Sequence, residues 1–277
     1  MKILLTGSNG QLGIELCKQL GKECEILETD VHNLDIRNQK AVAEAVVQFK
    51  PGIIINCAAF TNVDGCEADE ITAFKVNAIG AQNLSTAAYS VGAGIVQIST
   101  DYVFDGNAST PRREYDLINP QSCYGRSKAL GEKLVRETNP RHFIIRTAWL
   151  YGEGNNFVRT MLKLAKEKDE LSVVDDQIGS PTSTVDLAGC IKNLINTDSY
   201  GTYHGTCEGE CSWNDFAKKI FEIKGLNIKV NSITTEQLNR PANRPKYSVL
   251  DNFMLKLHDM NTFRHWEEAL REYLATN

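Results

Sequence analysis

Tyr124 and Lys128 stand four residues apart. On an α-helix that spacing puts both side chains on one face, one above the other. A phenol beside an ammonium is a proton-transfer pair. Free tyrosine has a pKa near ~10 and shuttles protons poorly at neutral pH, but a neighbouring positive charge stabilises the phenolate. Each tenfold gain in acidity corresponds to about 1.4 kcal/mol. A surface Tyr/Lys pair has the same spacing, so support must come from elsewhere in the chain. It comes from Ile95-Val96-Gln97-Ile98-Ser99-Thr100-Asp101, an apolar run ending in hydroxyls. Ser99 and Thr100 fall at the carboxyl end of an expected strand, where open α/β sheets gather ligands. A hydroxyl there could hydrogen-bond a carbonyl held beside Tyr124.

A second constellation lies near the N-terminus. Gly7-Ser8-Asn9-Gly10-Gln11-Leu12-Gly13 reads GxxGxxG between a short apolar run and a helical pattern. Three small residues there make a sharp turn, let backbone N–H groups approach a pyrophosphate, and let helix and strand pack closely. The spacing departs by one residue from GxGxxG. Asp30 follows Gly13 by seventeen positions and ends the second expected strand. An acid placed there hydrogen-bonds the adenosine ribose and repels a 2′-phosphate, which favours NADH and leaves NADPH as the second choice. Arg37 is the nearest arginine that could soften this preference.

The positioning elements alternate. Strands are expected at 3–6, 25–28, 53–56, 95–99 and 143–146. Helices are expected at 13–20, 39–49, 73–91 (with Asn77 inside it) and 127–137. This rhythm predicts an α/β fold: a Rossmann-type doubly wound parallel sheet with a smaller C-terminal substrate-binding lobe. Residues 1–150 form the expected dinucleotide-binding domain, with 176–205 returning to it. Residues 151–175 and 206–277 form the lobe. Within the lobe, 157–168 and 262–276 read as amphipathic helices. The Pro241–Pro245 segment can be neither helix nor central strand.

The chain has 277 residues, of which 42% are hydrophobic and 23% charged, so wholesale disorder is ruled out. Thirty basic and thirty-five acidic residues give −5, which offers no footprint for nucleic acid or an anionic membrane. The eight cysteines show no CxxC pair, and the five histidines show no metal spacing. Reduced thiols, no metal and a cytoplasmic location are the expectation. The first apolar run is too short for a signal peptide or a membrane span.

These motifs carry a resemblance. The chain resembles the extended short-chain dehydrogenase/reductases and, among them, is similar to the dTDP-4-dehydrorhamnose reductases over nearly its whole length. The residues concerned are Gly7 to Gly13, Asn56 to Asp64, Ser99 to Gly106 and Tyr124 to Lys128. Arg146 to Tyr151, Gly154 to Phe157, Asp176 to Thr182 and Arg244-Pro245 extend it. The resemblance implies NAD(P)H-dependent reduction of the C4 keto group of dTDP-4-dehydro-L-rhamnose to dTDP-L-rhamnose, a precursor of surface polysaccharide. It implies Thr100, Tyr124 and Lys128 as catalytic residues. Gly7, Gly10, Gln11, Leu12, Gly13, Asp30, Asp35, Ile36, Ala59, Phe60, Thr61, Ile98, Tyr124 and Lys128 become cofactor contacts. Thr100, Asp101, Trp149, Asn156 and Arg244 become substrate contacts.

Glu15 matches one position of a metal-linked dimer in such proteins, but Val185 replaces a second glutamate. A homodimer is therefore expected only without that bridge. Lys163, Lys166 and Lys168 read as a solvated face, and Trp213 and Trp266 as core or interface. Arg244 reads equally as a diphosphate ligand or a structural ion pair. Two other functions are weighed: another nucleotide-sugar reductase or epimerase of the extended family, and a non-catalytic NAD(P)-binding regulatory subunit.

Overall fold

A computed structural model describes residues 1–276. The first half runs β1 (Lys2–Thr6), α1 (Gln11–Leu20), β2 (Glu25–Thr29), α2 (Gln39–Phe49) and β3 (Ile53–Asn56). It continues with α3 (Val63–Ala68), α4 (Glu70–Phe74), a π-helical turn (Lys75–Gly80), α5 (Ala81–Ser90), β4 (Gly94–Thr100), α6 (Cys123–Thr138) and β5 (His142–Thr147). Then come β6 (Leu150–Tyr151), α7 (Phe157–Leu164), β7 (Glu170–Val174), β8 (Ile178–Gly179), β9 (Thr182–Ser183), α8 (Thr184–Leu194) and β10 (Gly201–His204). β11 (Cys211–Ser212), α9 (Trp213–Lys224), β12 (Lys229–Ile233), α10 (Thr235–Leu238), α11 (Phe253–Leu257) and α12 (Trp266–Thr276) complete the order.

Six strands form one parallel sheet in the order β10-β5-β4-β3-β1-β2. Successive strand residues point to opposite faces, so a strand covered on both sides is apolar throughout. Ile3, Leu5, Ile53 and Ile55 pack with Leu12 and Leu16 of α1 and Leu187 and Ile191 of α8. Leu4, Ile54 and Ile95 pack on the other face with Val42 and Val46 of α2 and Leu84 of α5. Each such fully buried side chain contributes about 1.5–3 kcal/mol. β1 has β2 on one side and β3 on the other, so chain direction across the sheet reverses there and a crevice opens at the strands' carboxyl ends. α8 lies against α1, and β10 pairs with β5 at the sheet edge. β7 and β12 form a small parallel pair in the lobe.

Five expected helices differ in extent, and the one expected at 13–20 begins at Gln11. The helix expected at 73–91 is broken by the π-helical turn that carries Asn77. α6 packs against that turn so closely that a Cβ at Gly131 would stand 2.3 Å from the Asn77 carbonyl oxygen. The wide turn spans only six residues, too few for its shifted apolar phase to stand out from an ordinary helical pattern. The helix expected from Ser127 begins at Cys123, because the Ser122 hydroxyl accepts from Gly125 N at 3.1 Å and caps it. Tyr124 therefore sits in the first turn. The helix expected to 168 ends at Leu164, and the last begins at Trp266 rather than 262.

Candidate active site

A cavity of about 800 Å³ opens at the carboxyl ends of β1 to β5. Of the residues singled out from sequence, Gly7, Gly10, Gln11, Leu12, Gly13, Asp30, Asp35, Ile36, Ala59, Phe60, Thr61, Ile98, Thr100, Asp101, Tyr124, Lys128 and Trp149 line it. Asn156 and Arg244 are not among the lining residues.

The glycine turn forms one end. Gly7 has φ +68°, and a Cβ there would stand 2.7 Å from Ala58 N. A Cβ at Gly13 would stand 2.3 Å from the Gly7 carbonyl oxygen. Side chains of Asn38, Ser122, Asn156, Ser183 and Ser212 cap α2, α6, α7, α8 and α9. Gly10 gives α1 no such cap. The first N–H groups of α1 are thus left for an anion at the cavity wall. Asp30 closes β2, and one of its oxygens accepts from Val31 N at 2.6 Å. Asp35 accepts from Arg37 Nε at 2.9 Å and Nη2 at 2.7 Å. That fork holds the Asp35 carboxyl below the usual carboxylate range.

Asn77 ties the loop over the cavity to α6. Its Oδ1 accepts from Phe60 N at 2.8 Å, and its Nδ2 donates to Phe60 O at 3.1 Å and to Ser127 Oγ at 3.0 Å.

At the other end, Thr100 caps a 3-10 turn (Asp101–Val103) by accepting from Tyr102 N at 3.2 Å. The Thr100 hydroxyl donates to Asp101 Oδ1 at 2.8 Å. Asp101 is 3% exposed and its second oxygen has no partner, and burial pushes its carboxyl up to about 6. Lys128 donates to Ile98 O at 2.6 Å, and burial pulls its ammonium down to about 8. Loss of water contact pushes the Tyr124 phenol well above its ordinary range, the hydrogen bond with Thr100 opposes this, and the nearby Asp101 adds to it. The expected acidification of Tyr124 by Lys128 is therefore corrected for the free protein: desolvation dominates and keeps the phenol neutral. A neutral phenol is the form that can donate a proton. Ser99 is corrected as well. It lines the cavity, but its hydroxyl donates to Glu132 at 2.6 Å.

Trp213, expected as core or interface, lines the cavity instead. Its indole stacks on Trp149 with ring centroids 3.6 Å apart and planes at 8°. Phe157 supports it with centroids 4.5 Å apart. Trp149 has φ +48°, and a Cβ at Gly179 would stand 2.4 Å from its Cε2. Trp149 is thus held between a glycine and a second indole. No local signal announces this, because residues 149, 179 and 213 meet only in the fold. Trp213→Ala should raise KM for the substrate about tenfold while kcat moves less than about threefold. Steady-state kinetics check it, and an unchanged KM would refute the assignment of Trp213 to this wall.

Asn156 caps α7 by accepting from Arg159 N at 3.0 Å, and it donates to Gly152 O at 2.7 Å and Gln11 Oε1 at 3.2 Å. Arg244 donates to Asp64 Oδ2 at 3.1 Å. Lys163, Lys166 and Lys168 are exposed. Trp266 is buried. Glu15 accepts from Gln19 Nε2 at 2.8 Å, and the same nitrogen donates to Val185 O at 3.0 Å. Among the described residues no three His, Cys, Asp or Glu side chains gather as a metal site. No helix among them is long and apolar enough to cross a membrane.

The family model described as the RmlD substrate binding domain matches residues 1–277. A crystal structure of a dTDP-4-dehydrorhamnose reductase from Clostridium acetobutylicum is 57% identical, with TM-score 0.98 over 100% of this chain and 99% of that one. The chain belongs to the dTDP-4-dehydrorhamnose reductase family. Another structure of this reductase family, from Bacillus anthracis in complex with NADP, is 45% identical with TM-score 0.98 over 100% of this chain and 99% of that one. The spore coat polysaccharide biosynthesis protein SpsK of Bacillus subtilis is 46% identical over 99% of this chain and 96% of its own. The likeness to the reductase structures runs over the whole chain, so it covers the glycine turn and the Trp149–Trp213 wall alike.

Proposed function

We propose that this protein reduces the C4 keto group of dTDP-4-dehydro-L-rhamnose with NADH or NADPH, giving dTDP-L-rhamnose for surface-polysaccharide synthesis. The observation that carries the reading is that Thr100, Tyr124 and Lys128 line one cavity together with an uncapped helix N-terminus. Nicotinamide, when bound, supplies the hydride. The free N–H groups at Gln11 and Leu12 hold the pyrophosphate. Asp30 takes the adenosine ribose hydroxyls, and Asp35 and Ile36 flank the adenine. Ala59, Phe60 and Thr61 would hold the middle of the cofactor, and Ile98 would be a further contact. Lys128 holds the nicotinamide ribose and keeps a positive charge near Tyr124. Thr100 fixes the keto oxygen, and Tyr124 delivers a proton to it. Asp101 and Trp149 contact the sugar nucleotide, with Asn156 and Arg244 as outlying contacts.

Residues 1–150 with 176–205 hold the cofactor on this reading, since α8 and β10 join the sheet layer. Residues 151–175 and 206–277 hold the sugar. A cytoplasmic location fits the eight unpaired thiols. A homodimer completes the reading, and sedimentation showing only monomer would remove it.

The deciding assay follows absorbance at 340 nm with dTDP-4-dehydro-L-rhamnose and each cofactor separately. Oxidation of neither rejects the proposal. NADH should give the higher kcat/KM, because the Asp30 carboxylate repels a 2′-phosphate and Arg37 is engaged by Asp35. Asp30→Ala should raise kcat/KM for NADPH by about tenfold relative to NADH. A wild-type preference for NADPH above about tenfold would overturn this assignment.

A further inference from the structure

Helix α6 carries a third polar side chain below its proton-transfer pair. Glu132 lies one turn beyond Lys128 and is 1% exposed. Ser99 Oγ, at the end of β4, donates to Glu132 Oε1 at 2.6 Å. Arg146 of β5, 3% exposed, donates through Nε to Oε1 at 2.9 Å and through Nη2 to Oε2 at 2.8 Å. The helix is thereby fastened to the two strands whose ends form the catalytic floor. Behind Arg146 stands His204, 3.4 Å from Nη1. Burial, with the adjacent guanidinium, holds that imidazole down at about 3, so it adds no charge at neutral pH.

A buried ion pair is a weak source of stability, because desolvating both ions offsets most of their attraction. An apolar pair of similar volume would hold the helix as well. The location of the carboxylate is better explained by what lies one turn away. The Lys128 ammonium is buried, and its hydrogen bond goes to a neutral carbonyl, Ile98 O. The titratable groups acting on it are Glu132 on its own helix and the Cys57 thiol after β3. Asp101 and Tyr124 belong to the same cavity wall. Burial holds the Cys57 thiol up at about 12, so it is neutral. Glu132 is the anion that opposes the desolvation of Lys128. Arg136, at the outer rim, reaches Glu132 Oε2 at 3.7 Å.

We propose that Glu132, clamped by Ser99 and Arg146 one helical turn from Lys128, is a positioning residue that keeps the Lys128 ammonium charged. This rests on the reading of Tyr124 and Lys128 as the proton-transfer pair. Glu132→Gln keeps the size and the hydrogen bond from Ser99 but removes the charge. It also leaves the Arg146 cation uncompensated near Lys128. Both changes disfavour a second positive charge, so Lys128 loses its proton at lower pH. Activity that needs the ammonium then falls earlier as pH rises.

The test is a titration of lysine side chains by carbon-13 NMR in protein labelled at lysine Cε, with Lys128→Met assigning the signal. It needs no substrate, so it stands apart from the assay of the proposed reaction. In Glu132→Gln the Lys128 midpoint should drop by at least about half a pH unit. The alkaline limb of kcat/KM with the keto sugar should move down with it, and activity near pH 6 should approach wild type. A purely structural role predicts instead a uniform loss of kcat at every pH with the midpoint unmoved, and that result overturns the proposal. Should the single variant fail to fold, the double variant Glu132→Gln/Arg146→Gln removes both members of the buried pair, leaves only the exposed Arg136 without its carboxylate, and carries the test. Its Lys128 midpoint should lie below wild type but above the level of an uncompensated Arg146. A midpoint equal to wild type rejects the role of Glu132. Wild-type protein that titrates as described but reduces no keto sugar sinks the proposed reaction and leaves this inference standing.

Discussion

Tyr124→Phe should lower turnover by about a thousandfold while NADH affinity changes less than about threefold. A positioned general acid contributes roughly 10²–10⁴ in rate, and phenylalanine keeps the ring while removing the only proton this position can give. The ring itself stays supported: it packs edge-on against Tyr102, with centroids 5.5 Å apart and planes at 75°. The fold should therefore survive, and kcat and kcat/KM should fall together, as they do when an interaction made only in the transition state is lost. Fluorescence titration with NADH beside the 340 nm assay reads both quantities. Full activity in Tyr124→Phe would end the mechanism. Loss of activity with intact NADH binding also excludes a regulatory subunit that merely holds the cofactor, since such a protein would have no turnover to lose.

Gly13→Ala should raise the NADH dissociation constant by about a hundredfold and lower Tm by roughly 2–10 °C. The new Cβ would stand 2.3 Å from Gly7 O, 2.7 Å from Ser8 Cα and 2.8 Å from Ser8 C. All three atoms are backbone, so no side chain can swing aside. Overpacking of this kind costs typically about 1–3 kcal/mol and moves backbone. The backbone that moves here is the turn whose N–H groups receive the pyrophosphate, so binding loses more than the fold does. Gly10→Ala is the matched control: its Cβ would meet only Gly7 O, at 3.2 Å. Thermal melts and NADH titrations of both variants decide the matter. Equal NADH affinity in wild type and Gly13→Ala would show that close approach at this turn is not what the cofactor uses.

The features legible in the sequence share one property: they are local. The glycine turn, the acid at the end of β2 and the Tyr124–Lys128 spacing each lie within one element and its neighbour. Short continuous apolar runs for the strands and a period of 3.6 in the helices were enough to place the parallel sheet and its crevice. The features that escaped depend on residues distant in sequence. Trp149 and Trp213 meet because β5 and α9 converge, and nothing around Trp213 distinguishes it from a core indole. Ser99 reads as a hydroxyl free to meet a ligand until Glu132, thirty-three positions away, is seen to accept its hydrogen bond. The sign of the Tyr124 shift was likewise out of reach. Spacing reveals a neighbouring ammonium but not how much water the fold removes. The π-helical turn at Asn77 hid for a third reason, since six residues are too short a window to reveal a shift in apolar phase.

The strand order has a consequence for how this chain can be made and cut. β10 closes the sheet beside β5, yet it arrives only at Gly201–His204. During synthesis the ribosome must therefore release some fifty further residues after His142–Thr147 before that edge can be covered. Until then β5 presents unpaired peptide groups along an apolar strand, a template for aggregation. A fragment truncated at residue 150 would keep that bare edge permanently. An expression boundary drawn after β10 would not.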